Sequence, residues 1–332
     1  MAKVFGIGNA LVDIMTSLND DELLKALNLP KGSMQLVDEI TIGNALQKTI
    51  GLSQTLASGG SAANTINGLA NLGIETGFIG KVGNDELGQF FHNDMVNCGI
   101  KPSLLQGKAS TGTALALVTP DSERTFAVYL GAAIEMIPED INKSNFEGFD
   151  YFHIEGYLVQ NHALIEKALK LAKQAGLKVS LDLASYNVVE ANLNFLHRMV
   201  EEYVDIVFAN EEEAKAFTGE EPEKALEILG GMSEIAIVKI GAKGSLIKFG
   251  DRTYKLGVIN VNPIDTTGAG DLYASGFLYG LSKGLSLEKC GEIGAILSGK
   301  VIEVIGPKMN IQTWDEIRRL VKQIENGENI AK

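Results

Sequence analysis

The 332-residue sequence is predicted to fold as an α/β protein, built on a mainly parallel sheet with helices wound on both faces. Short apolar runs of strand length alternate with longer amphipathic segments, which is typical of doubly wound sheets. Several amphipathic segments end at a glycine, as at Gly73, Gly99 and Gly176, where helices commonly end. Because 45% of the residues are hydrophobic, the chain can bury a large core.

The individual elements follow from this alternation. Strands are predicted at residues 4–8, 76–81, 151–155, 178–182, 206–209, 235–240 and 245–249. Helices are predicted at residues 62–72, 86–98, 162–175, 193–203, 211–217 and 223–229, and in the apolar segment that follows Asp271. Since a helix separates most consecutive strands, the sheet is expected to be parallel over most of its width.

Part of the first 131 residues departs from the alternation. Residues 113–119 and 124–130 are extended runs around the polar residues 120–123, which predicts a β-hairpin. We expect a single domain over residues 1–332 with a small lid sheet that closes over a site. The lid strands are expected to come from roughly residues 10–18, 33–38 and 113–131. An edge extension of the main sheet is the alternative.

Composition excludes several classes of function. The formal net charge of −13 argues against nucleic-acid binding through a basic surface, although loop amides can still bind a small anion. The two cysteines and four histidines lack metal-ligand spacing, so no structural metal is expected. The first residues form a strand-like run without signal-peptide character, and no segment approaches the roughly 18 apolar residues of a membrane span. We therefore expect a cytoplasmic protein that does not bind membranes.

The stretch 265–271, DTTGAGD, gives the strongest indication of chemistry. Its Gly-Ala-Gly turn leads into a predicted helix, so the turn lies at a helix N-terminus. Free backbone N–H groups and the positive end of the helix dipole favour an anion there, such as a phosphate. Asp271 falls in the first helical turn, beside that anion. A carboxylate in this position is explained if it accepts a proton from a group that attacks the phosphate.

Two motifs in the first part of the chain are candidates for ligand binding. Gly59 and Gly60 precede a predicted helix with Asn64 in its first turn, and paired glycines let a ligand approach the backbone. Asp13 follows the first strand, at the edge where open α/β sheets bind ligands, and a carboxylate there can bind a vicinal diol. A plain loop-to-helix turn and a solvated surface acid are the respective alternatives.

Two motifs in the second half also have two interpretations. Asn210 and Glu213 follow a predicted strand and can support a magnesium–phosphate complex through water, or they form an ordinary acidic helix start. Residues 241–244 either form a hairpin turn or bring backbone groups to a nucleotide.

Other nucleotide-binding and hydrolase motifs do not fit. The dinucleotide fingerprint that begins at Gly6 has Leu11 in place of its third glycine, which argues against a nicotinamide dehydrogenase. The sequence also contains no P-loop and no GxSxG nucleophile elbow.

Taken together, the motifs resemble those of the ribokinase-like, or PfkB, family of carbohydrate and nucleoside kinases. The stretch 265–271 matches the family's DTxGAGD signature, and Gly59 and Gly60 with Asn64 match its GG…N signature. The NxxE motif and the G-x-x-G turn of the nucleotide side follow in the family's order. The resemblance covers nearly the whole chain, and it implies a three-layer α/β/α sandwich with a small β-sheet lid.

The resemblance also implies site residues for an ATP-dependent kinase. Asp271 is expected to be the general base, with the amides of Gly268, Ala269 and Gly270 as the anion hole. Residues expected to bind the acceptor are Asp13, Gly59, Gly60, Asn64 and Glu155. Residues expected near ATP and Mg²⁺ are Asn210, Glu213, Lys239, Gly241, Gly244 and Ser298. A monovalent cation, K⁺, is expected near Asp265 and Thr267.

The acceptor stays open between a nucleoside such as adenosine and a ribose-like sugar. The long insertion between Asp13 and Gly59 resembles adenosine kinases and their bacterial relatives. Glu155, in contrast, matches a ribokinase position that contacts the sugar, where animal adenosine kinases are apolar. The residues considered for the lid or the wall of the site are Met34, Leu36, Tyr129 and Tyr157, and packing in the core is the alternative for each. A monomer and a homodimer are both compatible with the resemblance, and a non-catalytic sugar- or nucleotide-binding regulator on the same fold is the alternative function.

Overall fold

A computed structural model describes residues 2–121 and 123–328. Met1, Ser122 of the predicted hairpin turn and residues 329–332 therefore lie outside the described part of the chain. The described strands, in chain order, are β1 (Val4–Ile7), β2 (Leu11–Ser17), β3 (Met34–Leu36), β4 (Gln54–Gly59), β5 (Thr76–Val82), β6 (Lys101–Gln106), β7 (Gly112–Val118), β8 (Arg124–Tyr129), β9 (Tyr151–Glu155), β10 (Lys178–Asp182), β11 (Ile206–Asn210), β12 (Ile235–Lys239), β13 (Ser245–Phe249) and β14 (Arg252–Leu256).

The α-helices follow the same order along the chain. They are α1 (Glu22–Ala26), α2 (Glu39–Lys48), α3 (Ser61–Asn71), α4 (Glu86–Asn97), α5 (His162–Gln174), α6 (Tyr186–Ala191), α7 (Leu193–Tyr203), α8 (Glu211–Thr218), α9 (Pro222–Met232), α10 (Ala269–Ser282), α11 (Leu287–Val301) and α12 (Ile311–Glu325). Short 3₁₀ helices lie at Gly131–Glu135, Pro138–Asp140, Lys143–Phe146, Gly156–Gln160 and Gly241–Lys243.

The central sheet has nine strands in the order β14-β13-β12-β11-β10-β9-β1-β5-β6. Its strands are parallel from β12 to β6, whereas β13 and β14 add an antiparallel edge. Parallel strands end at one edge of the sheet, so the residues that follow β1, β9, β10, β11 and β12 are brought close together. The predicted fold class is confirmed.

Two hydrophobic clusters cover the two faces of this sheet. Alternate residues of β11 separate between them, with Ile206 and Phe208 in one cluster and Val207 and Ala209 in the other. The first cluster includes residues of α3, α4, α10, α11 and α12, and the second includes residues of α5, α7, α8 and α9. The protein is therefore a three-layer sandwich, as expected.

A second sheet of five strands, which we call the small sheet, has the order β3-β8-β7-β2-β4. It is separate from the central sheet, so the alternative of an edge extension is wrong. Strands β7 and β8 form the antiparallel pair expected of the hairpin, closed by a hydrogen bond from the Thr119 amide to the Glu123 carbonyl. The sequence does not predict strand β4, because Gln54–Gly59 mixes polar and small residues without a continuous apolar run.

Candidate active site

A cavity of about 1550 Å³ opens at the carboxyl ends of the central strands, against the small sheet. Glu155, Asp182, Asn210 and Lys239 are the last residues of β9, β10, β11 and β12, and all line this cavity. The predicted site residues that line it are Asp13, Gly60, Asn64, Glu155, Asn210, Glu213, Lys239, Gly241, Gly244, Thr267, Gly268, Ala269, Gly270, Asp271 and Ser298. Gly59 and Asp265 lie behind its wall.

The start of α10 has the conformation that the glycine turn predicts. Gly268 caps the helix with a φ of +76°, a left-handed conformation that favours glycine, and its carbonyl accepts the Leu272 amide at 2.8 Å. The Ala269 amide donates to the Thr266 carbonyl at 3.2 Å, so the turn itself uses one of the three amides expected in the anion hole. First-turn amides have no helical carbonyl to bond, which leaves Gly270 available to an anion.

Asp271 is held by the first turn of α3. The Ser61 hydroxyl donates to its Oδ1 at 2.7 Å, and the Asn64 amide nitrogen donates to its Oδ2 at 3.0 Å. Burial raises the pKa of Asp271 to about 6, although both hydrogen bonds act in the opposite direction. The carboxylate is therefore ionised at neutral pH and retains enough basicity to accept a proton.

Asn64 has an unused acceptor. Its side-chain amide nitrogen is bonded to Asp271, and its Oδ1 is buried with no hydrogen-bond partner among the described residues. Buried polar atoms are nearly always hydrogen-bonded, so an unsatisfied oxygen on a cavity wall is suited to a ligand donor such as a hydroxyl group.

Glu155 is almost fully buried and connects two elements of the site. Its Oε1 accepts the Asn9 backbone and side-chain amides, both at 2.9 Å, and its Oε2 accepts the Ala62 amide at 2.7 Å. Burial raises its pKa to about 7. These contacts fasten the end of β1 to the start of α3, so this carboxylate, expected to contact the acceptor, already has three protein donors.

The Asp13 carboxylate occupies space that is free only because residue 59 is a glycine. A Cβ at Gly59 would overlap the Asp13 carboxylate, and a Cβ at Gly60, whose φ is +100°, would overlap the Asn9 carbonyl. Gly59 therefore makes room for Asp13 and does not itself line the cavity. Burial raises the pKa of Asp13 to about 7, while nearby Lys308 acts in the opposite direction.

Lys239 brings a positive charge to the turn at residues 266–270, which we call the anion turn after its predicted ligand. Its Nζ donates to Asp182 at 2.9 Å and lies 3.0 Å from where a Cβ on Gly270 would be. Burial alone would lower the pKa of Lys239, but neighbouring Asp182 and Glu213 produce a net rise. The lysine is therefore charged and adjoins the amides that favour an anion.

Asn210 and Glu213 form a capping box at the start of α8. The Asn210 amide donates to Glu213 at 2.8 Å, and the Glu213 amide donates back to the Asn210 side chain at 2.8 Å. Burial, followed by the charge of Asp182, raises the pKa of Glu213 to about 7. The pair thus performs the structural role considered from sequence and also lines the cavity.

Asp265 anchors the anion turn from behind. Its Oδ1 accepts the Thr267 amide at 2.7 Å, and its Oδ2 accepts the Gly306 amide at 2.7 Å. Its Oδ2 also forms an ion pair with the Arg124 guanidinium of β8, in the small sheet.

The small sheet borders the cavity with an apolar face. Met34 and Leu36 of β3 lie beside Phe126 and Val128 of β8, and all four line the cavity. Tyr157 lines the cavity too, whereas Tyr129 packs against the first hydrophobic cluster.

A model of the pfkB carbohydrate kinase family matches residues 36–314. This chain belongs to the pfkB family of carbohydrate kinases. Its adenosine kinase relative from Sinorhizobium meliloti is 34% identical, with a TM-score of 0.85 over 96% of this chain and 99% of that one. A probable sugar kinase from Rhizobium etli is 33% identical, with a TM-score of 0.86 over 96% and 98%. A 5-dehydro-2-deoxygluconokinase from Shouchella clausii is 29% identical over 294 residues, which cover 80% of this chain and 86% of that one.

This pfkB-family kinase is thus a phosphotransferase, and its family implies ATP, generally with Mg²⁺. Asp182 and Glu213 line the cavity and fit a hydrated Mg²⁺, because their carboxylate oxygens can accept hydrogen bonds from its water ligands. Among the described helices, none is long and apolar enough to cross a membrane.

Sequence reasoning missed several residues in or beside this cavity. Asp182 ends a correctly predicted strand, so the rule applied to Asp13 would have found it. Ser61 directly follows the two glycines and was a possible helix-start donor. Arg124 and Lys308 come from segments far from their partners, and no local pattern indicates them.

Proposed function

We propose that this kinase transfers the γ-phosphoryl group of ATP to a primary hydroxyl group of a nucleoside such as adenosine, or of a ribose-like sugar. One observation carries the proposal. The Asp271 carboxylate lies in the first turn of α10, beside the Gly270 amide and the Lys239 ammonium group, and is held there by Ser61 and Asn64.

The residues then have separate parts in the transfer. The acceptor oxygen bonds to the γ-phosphorus, the bond from that phosphorus to the β–γ bridging oxygen breaks, and the acceptor proton passes to Asp271. Since an alcohol is a far weaker acid than this carboxyl group, whose pKa is about 6, the proton moves late, as the new bond forms. The Gly268 and Gly270 amides and Lys239 stabilise the charge that develops on the phosphoryl oxygens.

ATP and its metal would occupy the side of the cavity near β12. Glu213, Asn210 and Asp182 would hold Mg²⁺ through its water ligands. When bound, Mg²⁺ neutralises phosphate charge during the transfer. The nucleotide would lie along the backbone of Gly241 and Gly244, with Ser298 near its base.

The acceptor would bind on the opposite side, under the small sheet. Asp13, the Gly60 backbone and the unpartnered Oδ1 of Asn64 are suited to hydroxyl groups of a ribose. The face formed by Met34, Leu36, Phe126 and Val128 offers contact to an apolar ring, which supports a nucleoside over a free sugar. Similarity to an adenosine kinase at 34% identity supports the same choice.

We further propose that residues 1–332 work as one kinase domain, with the small sheet as its lid, in the cytoplasm. A monomer and a homodimer are both compatible with this arrangement.

A panel of acceptors tests the proposed function. ADP release from MgATP would be measured with purine and pyrimidine nucleosides, ribose and other pentoses, and 5-dehydro-2-deoxygluconate. We expect fastest turnover with a nucleoside, and phosphate on its primary hydroxyl group by mass spectrometry and NMR. Fastest turnover with the sugar acid would contradict the nucleoside proposal. Tight binding without ADP release from any compound would instead support a regulator.

A further inference from the structure

The Asp265 carboxylate is the most enclosed charge at the base of the anion turn, with only 1% of its side chain exposed. Its oxygens accept the amides of Thr267 and Gly306, both at 2.7 Å. These bonds join the anion turn to the loop that follows α11. Desolvating a carboxylate buried this deeply is costly, and a nearby opposite charge offsets that cost.

Arg124 supplies that charge from a different sheet. It is the first residue of β8, its side chain is only 18% exposed, and its guanidinium forms the ion pair with Asp265 Oδ2. An arginine stays protonated at any physiological pH, so this positive charge is permanent. The charge opposite Asp265 is therefore supplied by a side chain of the protein and not by a bound ion.

A monovalent cation beside Asp265, as the family resemblance implies, does not fit this arrangement. Both carboxylate oxygens already have amide donors, and Oδ2 also faces a guanidinium. A potassium ion at the same carboxylate would meet the positive charge of Arg124 at close range, and the two would repel each other. The Arg124 guanidinium already occupies the position beside Asp265 that a bound cation would take.

We propose that the Arg124 guanidinium takes the place of the monovalent cation at Asp265, so that this kinase works without K⁺. This inference rests on the proposed kinase function only where it is tested by activity, because the thermal unfolding test does not require activity. Because β8 belongs to the small sheet, Arg124 connects that sheet to the anion turn through its ion pair with Asp265.

The test compares KCl with tetramethylammonium chloride at equal ionic strength, both for thermal unfolding and for ADP release. The wild-type protein should melt at the same temperature and turn over at the same rate in the two salts. A higher melting temperature in KCl than in tetramethylammonium chloride, or a rate that requires K⁺, would overturn the proposal. Absence of any kinase activity would count against the proposed function. Because thermal unfolding needs no substrate, the melting experiment would still test this inference.

Three variants sharpen the comparison. Arg124→Ala should lose at least about tenfold in rate without K⁺, because it leaves a buried carboxylate unpaired, and K⁺ should restore part of that loss. Arg124→Lys keeps the charge and should remain independent of K⁺. Arg252→Ala, at an exposed arginine that begins β14, should behave as wild type in both salts. An Arg124→Ala protein as fast and as stable as wild type without K⁺ would contradict the proposal.

Discussion

The two ends of the cavity are built differently. The end at α10 is dense in hydrogen bonds between charged and polar groups, most of them from residues 265–271 and the first turn of α3. The end under the small sheet is an apolar surface assembled from separate strands. Met34 and Leu36 there remain 61% and 67% exposed, and Asp13 is the carboxylate this sheet directs into the cavity.

Under the function proposed above, this contrast separates the reaction, at the α10 end, from the choice of acceptor, at the end under the small sheet, which we call the acceptor end. Geometry at α10 depends on a short stretch of sequence whose members hold one another in place, so one change there disturbs the chemistry. Met34 and Leu36 on the small sheet contact solvent and can change without moving Asp271. The pfkB relatives bear names with different acceptors, adenosine and 5-dehydro-2-deoxygluconate, as expected if the acceptor end varies more freely.

The largest expected effect is at the α10 end. Asp271→Asn should lower kcat by roughly 10³- to 10⁴-fold, because the amide cannot accept the acceptor proton, with little change in KM for the acceptor. Steady-state ADP release would measure both constants. Asp251→Asn, on an exposed turn, is the matched control and should be neutral. A kcat that survives Asp271→Asn would rule out this carboxylate as the base.

Asp13 should report on the acceptor end instead. Asp13→Asn should raise KM for the acceptor roughly 10- to 100-fold, since hydrogen bonds to a charged group contribute about 1.5–3 kcal/mol, while KM for ATP stays constant. Gly59→Ala should act in the same direction, because its Cβ would displace the Asp13 carboxylate. Gly43→Ala, where a Cβ meets nothing within 4 Å, is the control. Equal rises in both KM values would mean that the two ends are not separable.

Substitutions of Ser61 test how its hydrogen bond sets the pKa of Asp271. The rate constant kcat, measured at saturating acceptor so that acceptor binding by Asp13 does not enter, should fall as pH drops through about 6, because protonation removes the Asp271 base. Ser61→Ala removes a hydrogen bond that favours the ionised form, so this acidic limb should move up by about one pH unit. Ser61→Thr keeps the hydroxyl group and should leave the limb in place. A limb that moves down in Ser61→Ala would show that the hydrogen bond favours the protonated form.

The smallest effect is expected on the apolar face. Leu36→Ser should raise KM for a nucleoside only about two- to fivefold, because the side chain is mostly exposed and gives up little apolar contact. KM for ribose should not change, since a free sugar has no base to reach Leu36. Ile40→Ser, at a 75% exposed residue of α2, provides the control. An equal rise for ribose would place the sugar, and not the base, against this face.

Local patterns made most of the framework predictable. Strands such as β11 and β12 are contiguous apolar runs that end in a polar residue, and the start of α10 is specified by Gly268 and Gly270. The predicted helix at 62–72 corresponds to α3, Ser61–Asn71. Strand β6 was missed because Pro102 interrupts its pattern, and an edge strand tolerates this residue.

The unpredicted parts depend on contacts between distant segments. Arg124 and Asp265 are 141 positions apart, the difference of their numbers, and nothing near either residue indicates the other. Glu155 was recognised as a strand-end acid, but its bonds to Asn9 and Ala62 follow from the relative placement of β1, β9 and α3. The amide of Ala269 could be assigned to the turn only once the position of the Thr266 carbonyl was known.

The strand order of the small sheet restricts how this kinase can be re-engineered. The chain leaves the central sheet in two excursions, one between β1 and α3 that contains β2, β3 and β4, and one between β6 and β9 that contains β7 and β8. In the small sheet, β7 and β8 lie between β3 and β2. Neither excursion can therefore form the sheet alone. A chimaera that borrows the acceptor preference of a relative must exchange both excursions together, across four junctions, and two of these junctions lie at Asn9 and Gly60.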